Sequence, residues 1–300
     1  MADPKVRLLD GGMGRELERI GAPFHQPEWS ALALIEGPEY VLKAHQAFID
    51  AGADIITTNS YAVVPFHLGE ERFAARGAGL AALAGRLARQ VADGAKRPVA
   101  VAGSLPPALG SYRPDLFDPV RSLEIHRVLI GALAPWVDFW LAETQSSIAE
   151  IRAVGAALGR TAKPLWLSFT LEDERPDEIP RLRSGEPVAA AVGVAAADLG
   201  VQQILFNCSQ PEVMGAALDT ANDILAGLGS GIGLGVYANA FPPVPKDAKA
   251  NVQLREIRAD LGPTDYLAWA RTWVRAGASV IGGCCGISPD HIAALKAALA

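Results

Sequence analysis

The sequence predicts a single-domain α/β fold of the TIM-barrel type, (β/α)8, in which eight parallel strands alternate with eight helices around one core. Three observations support this prediction. A short apolar run, a loop and a helical segment follow one another eight times along the chain. The apolar runs are continuous rather than alternating, which is typical of parallel strands buried on both faces. The chain has 300 residues and is 50% hydrophobic, enough for one large barrel core.

The predicted strands are short runs rich in Val, Ile and Leu. In chain order they are Val6–Asp10, Asp54–Asn59, Val99–Ser104, Asp138–Thr144, Leu165–Thr170, Gln203–Ser209, Ile232–Asn239 and Ser279–Cys284. The same alternation would suit an open, doubly wound sheet, so the count of eight units favours the barrel but leaves that alternative open. No tandem repeat or linker divides the chain, and residues 1–300 are therefore assigned to one domain.

The predicted helices lie between these strands and after the last one. Their ranges are 38–51, 70–92, 121–134, 146–158, 187–199, 211–227, 264–276 and 288–299. Ser288 and Pro289 are a typical N-cap and first-turn proline for the last helix. Gly52, Gly200 and Gly277 lie where helices end and strands begin, which is the usual place of a C-terminal cap.

Two of the loops that follow strands are longer than the others. One covers residues 105–119 and is rich in proline and aromatic residues, and the other covers residues 171–187 and is charged. Both leave the C-terminal ends of strands, the face on which barrel enzymes carry their active sites. We expect both loops to cover a site, although a purely solvated segment is an equally good interpretation of the charged one.

Composition and charge limit the classes of partner. The net charge of −6 at pH 7 argues against nucleic acid, because phosphate contacts need clustered Lys and Arg. The N-terminal segment MADPKVRLLDGG has no apolar stretch like that of a secretory signal, and no convincing membrane span is present. We expect a cytoplasmic protein that binds neither nucleic acid nor membranes.

The three cysteines carry the strongest functional signal. Cys208 ends the sixth predicted strand in FNCS, and Cys284 and Cys285 end the eighth in GGCCG. Because all strand ends of a barrel meet at one mouth, the three thiols are expected to lie together. A single cysteine is more often a small buried apolar residue, but three at strand ends favour a joint role. Their odd number argues against a disulfide framework.

Three thiolates at one mouth are typical of a zinc site. Zinc prefers sulfur ligands in four-coordinate geometry, and three protein ligands leave one position for a substrate. Adjacent strand residues point to opposite faces, so Cys284 and Cys285 can share one ion only where the backbone turns. The neighbouring glycines 282, 283 and 286 permit such a turn. A strained vicinal disulfide is the alternative. Three thiolates give Zn2+ a net charge of −1, which favours a thiol substrate over hydrolysis by bound water.

Four segments, LDGGMGREL, HQAFIDAGADIITTNSY, FNCS and IGGCCGISPDHI, together resemble the homocysteine S-methyltransferase family over essentially the whole chain. That family includes enzymes that use S-methylmethionine or betaine, and the homocysteine domain of cobalamin-dependent methionine synthase. The resemblance implies a (β/α)8 barrel with Zn2+ held by Cys208, Cys284 and Cys285, which are then also the catalytic residues. It further implies that homocysteine is methylated on sulfur to give methionine.

The resemblance also implies how the amino-acid end of homocysteine is bound. Asp10 and the backbone of Gly11 and Gly12 match the LDG motif of the family, and Glu143 matches an acid expected to bind the homocysteine ammonium group. An ion pair between neighbouring strands is the alternative for Glu143. Asn239 resembles the asparagine of the P-N-A-G segment of the family, which is expected to approach the open zinc position.

Other pocket residues are expected at the end of the second predicted strand and among the aromatic residues. Thr58, Asn59, Ser60 and Tyr61 follow that strand and are expected to line the substrate pocket. A cationic methyl donor is attracted to aromatic faces. The aromatic candidates near the mouth are Tyr61, Tyr112, Phe169 and Tyr237.

The length of the chain leaves no room for appended folate or cobalamin domains, so a small, directly bound methyl donor is expected. An S-methylmethionine-like sulfonium comes first, ahead of S-adenosylmethionine and betaine. The segment GSLPP at 103–107 departs from the G-S-x-G-P of relatives on the donor side, and a separate methyl-carrier protein is the alternative source. Methylation of another thiol or selenol, and a zinc-stabilised scaffold or thiol sensor, also stay open. A Schiff-base lyase or aldolase is disfavoured because none of the predicted strands contains lysine.

Overall fold

Eight parallel strands form the centre of the computed structural model, which describes residues 6–176, 178–243 and 256–299. They are β1 Arg7–Leu8, β2 Ile55–Thr57, β3 Ala100–Leu105, β4 Phe139–Gln145, β5 Leu165–Phe169, β6 Gln203–Asn207, β7 Gly233–Tyr237 and β8 Ala278–Ile281. From β2 to β8 each strand pairs with the next, and β1 pairs with β8. A parallel bridge between Leu9 and Ile55 joins β1 to β2 and closes the ring. This closure confirms the predicted TIM barrel and excludes the open sheet.

Helices surround the strands on the outside. They are α1 Met13–Arg19, α2 Ala31–Glu36, α3 Pro38–Ala51, α4 Pro65–Leu68, α5 Glu70–Gly94, α6 Pro119–Leu133, α7 Ile148–Leu158, α8 Val188–Asp198, α9 Met214–Gly227, α10 Pro263–Arg275 and α11 Pro289–Leu299. Each of the predicted helices is present with small shifts at its ends. The sequence does not predict α1, α2 and α4, which contain 7, 6 and 4 residues. Helices this short show too few turns for an apolar period to be visible.

The apolar core has two layers separated by the strands. The inner layer fills the barrel and consists of Leu9, Ile55, Ala102, Phe139, Leu141, Trp166, Leu205, Tyr237 and Val280, with Ala100 and Cys284 packed against it. The larger outer layer lies between the strands and the helices. Both faces of each strand are therefore buried, which explains why the apolar runs do not alternate.

Six strands (β1, β2, β5, β6, β7 and β8) end one to three residues earlier than the sequence predicts, and two of them, β6 and β8, lead to the cysteines. β6 ends at Asn207, β7 at Tyr237 and β8 at Ile281, so that Cys208 and Cys284 lie in the loops beyond them. Cys208 has a φ of 53°, which a strand cannot contain. The three cysteines thus lie on the C-terminal face of the barrel, where the sequence predicts them.

The two long loops fold over this same face. In the described part of the charged loop, Leu171 pairs with Leu182 and Arg181 with Pro187 in short antiparallel bridges. Asp173 and Arg183 form an ion pair at 2.9 Å with their side chains almost entirely buried. The interpretation of this loop as purely solvated is therefore wrong. Within the described ranges, none of the helices combines the length and the apolar character needed to cross a bilayer.

Candidate metal centre and substrate pocket

The three cysteine sulfurs meet at the mouth of the barrel. The Sγ atoms of Cys208, Cys284 and Cys285 all lie within 4.8 Å of one another. Those of Cys208 and Cys284 are in direct contact as a disulfide, with their Cα atoms 5.7 Å apart. The adjacent pair 284 and 285 is not joined, so the structure does not support a vicinal disulfide. Among the described residues, no other group of cysteine, histidine and acidic side chains is arranged to hold a metal ion.

The loop after β8 turns sharply enough to bring both of its cysteines to the cluster. The amide of Gly283 donates to the Asp10 carbonyl at 2.9 Å and the amide of Cys284 to that of Ala238 at 2.9 Å. The amide of Ala240 in turn donates to the Cys285 carbonyl at 2.9 Å. A Cβ atom at position 283 would collide with the Ile287 side chain. The loop can therefore fold back against Ile287 only because residue 283 is glycine. The predicted backbone turn is confirmed.

Cys208 is held by contacts to its backbone. Its carbonyl accepts hydrogen bonds from the Tyr112 hydroxyl and the Thr170 hydroxyl, both at 3.4 Å, and its amide donates to the Tyr237 carbonyl at 3.4 Å. A left-handed φ is uncommon for a residue with a side chain and persists where the surroundings enforce it. Here that conformation directs the thiol toward the other two sulfurs.

The cluster fits a zinc ion. Zn–S bonds of about 2.3 Å in tetrahedral geometry place sulfur ligands about 3.8 Å apart, which the 4.8 Å span of the three Sγ atoms accommodates. Because the cluster contains three protein ligands, one position of a tetrahedral ion is left for an external ligand. The disulfide between Cys208 and Cys284 consumes two of the thiolates, so the oxidised and metal-bound states exclude one another.

A cavity of about 170 Å³ opens beside the sulfurs, and all three cysteines contribute to its wall. Most of the predicted substrate-binding residues line it. These are Asp10, Gly11, Gly12, Thr58, Asn59, Tyr61 and Glu143. They come from the ends of β1, β2 and β4, and the closure of the barrel brings them to one side of the sulfur cluster.

Ser60 and Asn239 are buried near the cavity but do not belong to its wall. The Ser60 hydroxyl donates to the Ser104 carbonyl at 2.8 Å and bonds the Thr58 hydroxyl at 2.8 Å. The Asn239 Oδ1 accepts from the Phe241 amide at 3.1 Å, whereas its buried Nδ2 has no hydrogen-bond partner among the described residues. The geometry assigns Ser60 a supporting position, and binding of substrate by either residue stays a prediction.

The two acids of the cavity are buried without a cationic partner in the part of the chain described. Burial raises the pKa of Asp10 to about 8, although the Thr57 amide donates to Oδ2 at 2.8 Å. Burial likewise raises the pKa of Glu143 to about 7, against hydrogen bonds from the Ser104 and Tyr237 hydroxyls. The predicted alternative of an interstrand ion pair for Glu143 is therefore wrong. Two such acids are suited to receive an ammonium group, which would restore their ionised state.

Aromatic rings form another part of the wall. Trp29 packs edge to face with Tyr61 at 5.9 Å and stacks on His67 at 5.9 Å. Burial lowers the pKa of His67 to about 4, so its ring is neutral at physiological pH. Tyr112 and Tyr237 also line the cavity, as predicted. Phe169 does not, because its side chain is wholly buried and packs against Phe206 instead.

Several wall residues have no signal in the sequence. Trp29 lies between α1 and α2, His67 lies on the short helix α4, and Phe241 follows β7, all outside the segments that carry the family resemblance. Arg15 lies on α1 within the segment LDGGMGREL, but the sequence assigns it no role. Only their location in the segments that follow strands could have indicated these wall residues. Thr57 and Thr144 differ in this respect, because each is adjacent to a residue that the sequence predicts.

Comparisons with known proteins agree with this geometry. The family model described as homocysteine S-methyltransferase matches residues 7–299. The homocysteine S-methyltransferase of Escherichia coli is 35% identical, with 97% of this chain and 94% of that protein covered. A selenocysteine Se-methyltransferase of Brassica oleracea var. italica is 27% identical over 96% of this chain and 87% of its own. The crystal structure of the Escherichia coli homocysteine methyltransferase MmuM in its metallated form superposes with a TM-score of 0.78 at 30% identity, covering 98% of this chain and 96% of that one.

Proposed function

This chain belongs to the homocysteine S-methyltransferase family, and we propose that it transfers a methyl group from a small onium donor to the sulfur of homocysteine, giving methionine. The observation that supports this most directly is the meeting of three cysteine sulfurs from two distant loops beside a cavity. The proposal treats residues 1–300 as one homocysteine-binding barrel. It places the reaction in the cytoplasm, with small molecules as substrates and neither nucleic acid nor membrane as partner.

Cys208, Cys284 and Cys285 are the proposed ligands of the catalytic zinc. Bound there, Zn2+ would supply the Lewis acidity that keeps a thiol ionised, which matters because a thiol with a pKa near 8.5 is only a few per cent ionised at neutral pH. The hydrogen bonds to the backbone of Cys208 and of the loop after β8 fix the three sulfurs in advance. The Escherichia coli enzyme MmuM has crystal structures in a metallated and an oxidised form, which agrees with a cluster that either holds a metal or is oxidised.

Asp10 and Glu143 are the proposed partners of the homocysteine ammonium group. Both carboxyls face the cavity, and in both burial disfavours the ionised form until a cation binds. The free-energy cost of ionising two buried acids is thus offset when the ammonium group of homocysteine binds beside them. Gly11, Gly12, Thr58 and Asn59 contribute further parts of the cavity wall.

The proposed donor is a sulfonium of the S-methylmethionine type, with S-adenosylmethionine and betaine as further candidates. The aromatic rings of Trp29 and Tyr61 in the cavity wall offer favourable surroundings for a cation, whereas the Tyr112 ring already has the Arg183 guanidinium over it at 5.1 Å. The chain would chiefly align the nucleophilic sulfur with the methyl group for in-line displacement, and alignment alone contributes several kcal/mol. A selenol is a second acceptor to test, because one relative is named a selenocysteine Se-methyltransferase.

The test is a panel of methyl donors with homocysteine and the zinc-loaded, reduced protein. We expect methionine to form with at least one small onium donor, and metal analysis to give about one zinc per chain. Cys208→Ala should lose both zinc and activity, because two thiolates cannot hold the ion alone. Val120→Ala, at an exposed position outside the cavity wall, is the control. Zinc retention without any methyl transfer would point to a scaffold or a thiol sensor instead.

A further inference from the structure

Thr144 has a backbone conformation that a β-branched residue rarely adopts. It directly follows Glu143 near the end of β4, and its φ is 60°. A branched side chain in the left-handed region is strained, and such a conformation persists only where the surroundings enforce it. Both Thr144 and Glu143 line the cavity, although adjacent residues of a regular strand point to opposite faces. The unusual conformation of Thr144 therefore lies beside the proposed ammonium site.

The side chain of Asn207, the last residue of β6, holds Thr144 in place. Its Oδ1 accepts a hydrogen bond from the Thr144 amide at 3.0 Å, and its Nδ2 donates to the Thr144 hydroxyl at 2.9 Å. The Ser168 hydroxyl of β5 donates to the same Oδ1 at 2.7 Å. All three side chains are wholly buried, so water cannot replace these bonds. Asn207 thus uses both the donor and the acceptor of its amide to fix one residue of β4.

The ladder between β4 and β5 is irregular at the same point. Ala142 pairs with Leu167, but the next pair joins Gln145 to Phe169, so β4 carries one residue more than β5 there. A bulge of this kind redirects side chains near the end of a strand. Beyond it, the Gln145 Nε2 donates to the Glu143 carbonyl at 3.0 Å. The bulge explains how two consecutive residues can face the cavity.

Asn207 also directly precedes Cys208, one of the three cysteines of the sulfur cluster. The same residue therefore connects the acid proposed to bind the ammonium group with a sulfur proposed to bind the metal. In homocysteine a short carbon chain separates the ammonium group from the sulfur. The distance between the two subsites therefore decides whether both groups of the substrate can bind at once.

We propose that Asn207 is a positioning residue, which holds Thr144 in its left-handed conformation and thereby sets the distance between the Glu143 carboxyl and the sulfur cluster to match homocysteine. This inference rests on the proposed function and deepens it, because it names what selects an amino thiol over other thiols. Asn207 is not among the residues that line the cavity, so it acts through Thr144. Without Asn207, Thr144 would relax to an extended conformation, and the backbone beside Glu143 would change direction.

The experiment measures the binding of two thiols to the reduced, zinc-loaded protein by calorimetry. Homocysteine carries the ammonium group, and γ-mercaptobutyrate is the same molecule without it. The wild type should bind homocysteine at least about tenfold more tightly, on the scale of a charge-assisted hydrogen bond. Asn207→Ala should lose most of this preference. Asn222→Ala should keep it and is the matched control, because the Asn222 amide donates to the Ala276 carbonyl at 2.7 Å on the surface.

Two substitutions of Thr144 separate the effect of its backbone conformation from the loss of buried hydrogen bonds. Thr144→Val and Thr144→Gly both remove the hydroxyl, but only glycine adopts a positive φ without strain. Thr144→Gly should therefore keep more of the preference for homocysteine than Thr144→Val. Both variants leave Asn207 and Cys208 in place, so they test the inference even if Asn207→Ala does not fold.

Three results would overturn the inference. The first is an Asn207→Ala or Thr144→Val protein that keeps the full preference for homocysteine, and the second is an equal weakening of both thiols. The third is equal behaviour of Thr144→Val and Thr144→Gly.

Binding also separates this inference from the proposed function. If the preference for homocysteine depends on Asn207 and Thr144 but no donor is turned over, the positioning role stands and the proposed reaction fails. If methionine forms but the preference depends on neither residue, the reaction stands and the positioning role fails.

Discussion

At the scale of single residues, the most informative feature is a buried acid that lacks a cation within the described chain. Within the described residues, the Glu143 carboxyl accepts its hydrogen bonds from two hydroxyl groups, those of Ser104 and Tyr237. Hydrogen bonds from hydroxyls do not compensate fully for the loss of water, and burial therefore raises the pKa of Glu143 to about 7. An ammonium group bound beside it would lower that pKa again. Glu143 is thus a residue whose protonation should be coupled to substrate binding.

The first residue-scale prediction concerns Glu143→Gln. The amide keeps the shape but removes the charge, so the KM for homocysteine should rise about tenfold or more, by the loss of a charge-assisted hydrogen bond. In the wild type, Glu143 is protonated below pH 7 and ionised above it, so kcat/KM for homocysteine should increase as the pH rises through about 7. Steady-state kinetics from pH 6 to pH 8 measure both effects.

The control for this prediction is Glu124→Gln, at an exposed acid paired with Arg121 on α6. It should leave both the KM and the pH profile of the wild type intact. If Glu143→Gln kept the rise of kcat/KM through pH 7, another group would be responsible for it. The role assigned to Glu143 would then have to be given up.

At the scale of elements, the site depends on how closely the loop after β1 approaches the loop after β8. The Gly12 amide donates to the Ile287 carbonyl at 2.9 Å, and the Gly283 amide donates to the Asp10 carbonyl at 2.9 Å. These two bonds join the segment that carries the acid to the segment that carries two of the cysteines. Glycines in both segments make the approach possible, because a Cβ atom would stand between the backbones.

Gly11→Ala tests this approach. The added Cβ would collide with the Ile287 carbonyl and lie 2.7 Å from Cε1 of Phe48, so the loop after β8 must shift. We expect overpacking to lower the free energy of unfolding by about 1–3 kcal/mol, and kcat/KM to fall because the cysteines move with the loop. Denaturant unfolding and kinetics of the zinc-loaded protein measure the two effects.

Gly79→Ala is the matched control, because no atom lies within 4 Å of its Cβ position on α5. Replacing a helical glycine there should stabilise the protein by about 0.5–1 kcal/mol and leave activity unchanged. Equal behaviour of the two variants would show that the contact between the two loops does not support the site.

At the scale of the whole molecule, the proposed metal would join parts of the barrel that the sequence separates widely. Cys208 and Cys284 are 76 residues apart in sequence and lie beyond β6 and β8. A ligand that binds only the folded state stabilises it by mass action, by about 2.7 kcal/mol at a hundredfold excess over Kd.

Zinc should therefore raise the Tm of the reduced protein by roughly 5 °C, on the scale of a few degrees per kcal/mol for chains of this size. A chelator should reverse the shift, as followed by differential scanning calorimetry. Cys208→Ala should show neither effect. An unchanged Tm of the reduced wild type at saturating zinc would count against a metal held by these three sulfurs.

The sequence alone determined the architecture and the centre of the site. Eight apolar runs with intervening helices are a local pattern, and each strand could be identified because burial on both faces leaves a continuous apolar run. The same pattern predicts that the cysteines and the acids lie on one face, because all strands of a parallel barrel have their C-terminal ends on that face. The exact ends of the strands were the least predictable part. Cys208 lies beyond β6 because of its own positive φ, and Cys284 lies beyond β8 after the glycines 282 and 283.

Only the tertiary structure decided which of the remaining residues face the cavity. Trp29 enters its wall from the connection between α1 and α2, and Arg15 and His67 enter it from the short helices α1 and α4. The positions of these segments depend on packing against other elements, and no local periodicity encodes them. For the same reason Ser60 and Phe169, which the sequence predicts at the pocket, are instead directed into hydrogen-bonded or apolar surroundings. The position of a strand end can be predicted from the sequence. The direction in which a side chain near that end points depends on its contacts with neighbouring elements of the barrel.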